Sequence, residues 1–247
     1  MTHEKRLAGS DWWGSSTAAD LVPQEALYRL MIWLSPAYPV GAFSYSSGIE
    51  WAVESGDITD AETLRDWIEA TLTAGAGINE GIFFSQTHRA VTFDDDVAIV
   101  KTVELAAAFA PTRERYYETT TLGRAFVEVT RVAWPCAALT KLQTLWTGPV
   151  AYPVALGAAC AGHSIPLAPA AHGFLTALCS NWISAAVRLI PLGHTDSQRV
   201  LKALETSVVA TVKRAVDARL DDLASATFRA DIASARHETQ YTRLFRS

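Results

Sequence analysis

Apolar residues in this chain recur every three or four positions, and nowhere do they alternate with polar ones between hairpin turns. Leu64, Trp67, Ile68 and Leu72 fall on one helical face, as do Leu122, Phe126, Val129 and Ala133. Leu201, Leu204, Val208, Val212 and Val216 make a third stripe, with Lys202, Glu205, Lys213 and Arg214 on other faces. Prolines cut these stretches apart, because each removes an N–H and pushes its predecessor out of the helical region. The pattern predicts an all-α protein: a single-domain helical bundle of about nine or ten helices over residues 24–228, without internal repeats. Helix starts are expected at a capping box of Thr59 and Glu62, at the acidic run Asp94–Asp96, and at a second box of Thr195 and Gln198. Gly75 and Gly77 should end the helix that carries Leu64 to Leu72. The most apolar long stretch, Ala170 to Ile190, carries His172, Asn181 and Arg188, which favours a buried central helix over a membrane span.

The ends differ from the body. Residues 1–23 are polar and rich in small residues, which predicts a disordered arm, although Trp12 and Trp13 are unusual there. No apolar leader is visible in them. Residues 229–247 hold few apolar side chains and four arginines, so a tail mobile in the free protein and ordered by a partner is expected. The net charge of −5 gives no footprint for nucleic acid or an anionic membrane. Cys136, Cys160 and Cys179 lack paired spacing, which fits a reducing, cytoplasmic setting with the thiols as small core residues.

Ser35 to Val53, reading SPAYPVGAFSYSSGIEWAV, links two helices through a loop stiffened by Pro36 and Pro39 and turned at Gly41. Ser44 or Ser46 can cap the helix that follows. The loop carries Tyr38, Phe43 and Tyr45, either as core plugs or as an aromatic binding surface. PVGAFSYSSGIEWAVESG resembles the N-terminal signature of the UreF family of urease accessory proteins, and HETQYTRLFRS, His237 to Ser247, resembles that family's terminal motif. A weaker likeness runs from about Gln24 onward. The chain departs from the pattern at Ser47, often His, and at Tyr38, often Phe.

The resemblance implies an all-helical, usually dimeric protein that bridges UreD (UreH in some species) and the GTPase UreG, in an assembly that installs nickel in apo-urease. It implies a scaffold and regulator rather than an enzyme, without a cofactor of its own. The residues it points to for partner binding are Tyr38, Phe43, Ser44, Tyr45, Glu50, His237, Glu238, Tyr241, Arg243, Leu244 and Phe245.

The residues themselves offer little competing chemistry. No lysine directly follows a glycine, so no GxxxxGK[ST] phosphate loop exists, and there is no GxSxG elbow. Two alternatives stay open: a serine hydrolase using Ser44 or Ser46, and a nickel-carrying chaperone using the Cys160–His163 pair. Arg113, Glu114 and Arg115 look like the solvated start of a helix.

Overall fold

A computed structural model describes residues 22–247; the expected N-terminal arm, with Trp12 and Trp13, lies almost wholly outside them. Within the described residues the chain is helical and has no strand. After α1 (Gln24–Trp33) comes the loop to α2 (Ile49–Glu54), then α3 (Ala61–Ala74), α4 (Ala76–Thr92), α5 (Asp96–Ala108) and α6 (Arg113–Ala133). The second half holds α7 (Ala137–Leu145), α8 (Tyr152–Gly162), α9 (Leu167–Ala186), α10 (His194–Ala203), α11 (Glu205–Asp217) and α12 (Phe228–His237).

The fold is built around α4 and α8. Val154, Ala155, Leu156, Ala158, Ala159 and Cys160 of α8 are fully buried, so this helix is surrounded by protein. Its small residues allow close approach. A Cβ on Gly157 would lie 2.7 Å from the Phe84 carbonyl oxygen, so only glycine lets α8 meet the α4 backbone there. Helix α9 lies beside this pair, with Phe174 stacked on Phe84 at 5.3 Å between ring centroids. Helix α6 covers α8 on another side through Leu122, Phe126 and Val127. The expected stripes are the ones buried: Leu64, Ile68 and Leu72 on α3, Val208 and Val212 on α11.

The boundaries differ in instructive ways. The first capping box sits one residue later than expected, on Asp60 and Thr63, because Asp offers the stronger acceptor. Asp95 caps α5 as the acidic run suggests. The expected Thr195–Gln198 box does not form; extended backbone at Gly193 lets α10 begin at His194, ahead of it. The long helix expected from there bends at fully buried Leu204 into α10 and α11. These short elements, with α2, bring the α-helices to twelve among the described residues.

The largest difference concerns residues 229–247. In place of a free tail, the structure has α12 packed on α2 and α6, followed by a segment folded back over the loop after α1. Apolar burial there is modest, so polar contacts must explain the docking.

Candidate partner-binding site

The loop between α1 and α2 takes its shape from two glycines. Gly41 and Gly48 have φ of 80° and 84°, a region costly for other residues. At Gly48 a Cβ would meet the Ser234 nitrogen at 2.8 Å, so α12 lies backbone to backbone against the loop. Tyr38 and Tyr45 are buried core residues, and the Tyr38 hydroxyl meets that of Thr130 at 2.7 Å. Burial raises the Tyr38 pKa above the ordinary phenol value, against the smaller effect of Thr130. Phe43, by contrast, is 66% exposed.

The segment after α12 is held by two carboxylates. Glu50, in the first turn of α2, accepts from the backbone N–H of Leu244 (2.6 Å) and of Phe245 (2.9 Å). Its Oε2 also meets His237 Nε2 at 2.9 Å. Glu114, in the first turn of α6, meets His237 Nδ1 at 2.7 Å and accepts from Arg243 at 3.1 Å. Both carboxylates sit at helix N-termini, where the dipole favours negative charge. His237 is wholly buried between them. Burial alone would lower its pKa, but the hydrogen bonds and charges of Glu114 and Glu50 outweigh it and raise the pKa above the ordinary imidazole value.

Backbone bonds complete the closure. The Ser247 carbonyl oxygen accepts from the Ser46 N–H (2.6 Å) and hydroxyl (2.5 Å), and Arg246 N–H donates to the Ser44 carbonyl at 2.8 Å. Arg188, just past the end of α9, donates to the Phe43 carbonyl at 2.8 Å and lies 4.2 Å over the buried Phe245 ring.

Beneath this layer lies a second buried cluster. Arg115 donates to Ser47 and to Glu80, both at 2.6 Å, and pairs with Glu118 at 2.6 Å. Trp182 Nε1 donates to Ser47 at 3.0 Å, and the Ser247 hydroxyl donates to Glu118 at 2.7 Å. Burial pushes the Glu80 carboxyl up to about 7 in spite of Arg115. A cavity of about 160 Å³ extends from Phe43 and Tyr38 to this cluster.

The structure thus brings Phe43, Ser44, Glu50, His237, Arg243, Leu244 and Phe245 together. Leu244 and Tyr241 face solvent, and Glu238 is exposed. Glu114 and Arg115, expected to be solvated, are buried, as are Glu118 and Ser46. A signal for the two glutamates existed: the stripe of Phe126 and Leu122, continued back in steps of four, passes through Glu118 and Glu114.

Neither alternative chemistry finds its geometry. Ser46 is buried and its hydroxyl is spent on Ser247, while the histidine rings His88, His163 and His237 bond groups other than the Ser44 hydroxyl. Cys160 is fully buried, which pushes its thiol far above the usual range, and His163 bonds the Trp134 carbonyl at 3.1 Å. No group of three or more His, Cys, Asp or Glu among the described residues is arranged to hold a metal ion.

Comparison with known proteins agrees with the resemblance. The sequence model of the UreF family matches residues 58–205, a span that leaves out both the loop and the segment clamped to it. A urease accessory protein UreF of Rhodopseudomonas palustris is 57% identical over 235 residues, covering 94% of this chain and 97% of its own. That of Bradyrhizobium diazoefficiens is 58% identical over 232 residues, covering 93% and 96%.

Proposed function

The chain belongs to the UreF family of urease accessory proteins, and on that premise we propose that it works in urease maturation as a scaffold whose clamped C-terminal segment completes a docking surface. It is an accessory protein, not an enzyme. The partners are UreD (or UreH), the GTPase UreG and apo-urease, with nickel as the cargo. One observation carries the proposal: Glu50, Glu114 and His237 fasten the segment over the loop, and Phe43 of the loop and Leu244 and Tyr241 of the segment stand exposed. Exposed aromatic and aliphatic side chains on a pre-organised surface bind at low entropic cost. Arg243 contributes by holding Glu114 from the rim, with exposed Glu238 and half-buried Ser44 as further contacts.

The working form is a homodimer in the cytoplasm. Helix α8, rich in small residues, is buried inside the chain, and the exposed Leu27, Tyr28 and Met31 of α1 offer an apolar face for the contact. Among the described residues, no helix is long and apolar enough to cross a membrane.

Co-purification with UreD, UreG and apo-urease tests the reading. Phe43→Ala should weaken assembly by about 2 kcal/mol while the melting temperature holds. Removal of 229–247 should end urease activation while circular dichroism still reports a helical body. Normal assembly and activation by the shortened chain would refute the proposal.

A further inference from the structure

Both ring nitrogens of His237 face carboxylate oxygens, Nδ1 toward Glu114 at 2.7 Å and Nε2 toward Glu50 at 2.9 Å. A neutral imidazole carries one N–H and could satisfy only one of them. The arrangement therefore needs an additional proton, and the other contacts say where it resides. Glu50 also accepts two backbone N–H bonds and Glu114 also accepts from Arg243, so both carboxylates are held as anions. The proton belongs to the imidazole.

With it, the carboxylates of Glu50 and Glu114 are balanced by His237 and Arg243. Without it, a buried lone pair faces a buried carboxylate, and one negative charge is left over. Other charged groups lie around the site. On α6, Arg115 and Glu118 pair with each other, Arg115 also holds Glu80, and Arg113 lies 5.4 Å over the Tyr117 ring; on α12, Asp231 accepts from Ser225 and Arg236 is exposed, as are Glu238 and Arg246 beyond it.

We propose that His237 is a proton-operated latch, closing residues 239–247 onto α2 and α6 when its imidazole is charged and loosening them when the proton leaves. The proposal rests on the docking role given above for its biological meaning, whereas the latch itself is a property of the isolated chain. Its sign follows from linkage. Docking raises the imidazole's proton affinity, so the added stability is complete below the undocked value of about 6.5 and is lost as pH rises through the docked one.

Side-chain nitrogen spectra of the histidines, with amide exchange across the segment from about pH 6 to about pH 9, test the latch on the intact chain. The expected result is an imidazolium at His237 still present at about pH 7, above the ordinary imidazole value of about 6.5. Protection of the Leu244 and Phe245 amides, corrected for intrinsic exchange, should fall about tenfold per pH unit until His237 has titrated, then level off. In His237→Gln the slope should vanish. A neutral His237 ring at about pH 7, or the same slope in His237→Gln, would overturn the latch. The wild-type spectra decide the matter even if that variant folds poorly. A failed partner assay would remove the role and leave the latch; flat protection would remove the latch and leave the role.

Discussion

The seam between α4 and α8 and the clamp between α2, α6 and α12 both have buried centres, yet they are made of opposite materials. At the seam, alanines, Gly157 and Phe84 meet in contacts that need no particular partner atom, only matching volume. In the clamp, Glu50, Glu114, His237 and Arg243 meet through directed bonds, each of which leaves a buried charge exposed to loss if its partner goes. The first kind of interior degrades gradually and globally. The second holds or releases as a unit, which suits a segment that has to be set in place on a finished body.

Substitutions can break or sharpen this contrast. Phe84→Ala should have the largest effect, about 3–5 kcal/mol of global stability in urea unfolding, because the ring is fully buried against Phe174. Glu50→Ala should cost about 3 kcal/mol of docking, since His237 and two backbone N–H groups lose their acceptor. That loss should be local: amide protection disappears over 239–247 while the urea midpoint of the body moves much less. If Glu50→Ala instead unfolds the whole chain, clamp and seam are one cooperative unit and the contrast fails. Arg243→Ala should cost about 1 kcal/mol of docking, because its side chain is 40% exposed and solvent screens the pair. Added salt should shrink that difference but leave the Phe84 effect unchanged. Phe43→Ala should change stability by less than about 0.5 kcal/mol in a thermal melt, its ring being in water.

The apolar stripes were legible in the sequence and the clamp was not, for a physical reason. Leu64, Ile68 and Leu72 announce their burial by spacing alone, since a stripe is local information. A glutamate announces nothing until its partner is known, and the partner of Glu50 lies 187 positions away at His237. Residues 229–247 carry few apolar side chains, so their spacing reveals nothing that could hold them. Their hold comes instead from Glu50 and Glu114. The same limit applied to the loop: its aromatic residues were visible, but only the fold shows Tyr38 and Tyr45 turned inward and Phe43 outward.

The bond between Ser46 and Ser247 joins residues separated by 201 positions. Closing so long a loop is entropically unfavourable until intervening helices have shortened the path, so this contact belongs among the late events of folding. Leu244 and Phe43 therefore come to share a surface only after the bundle between them has assembled. Any protein that required both side chains at once would discriminate between finished and unfinished molecules, because only the finished chain presents the two together.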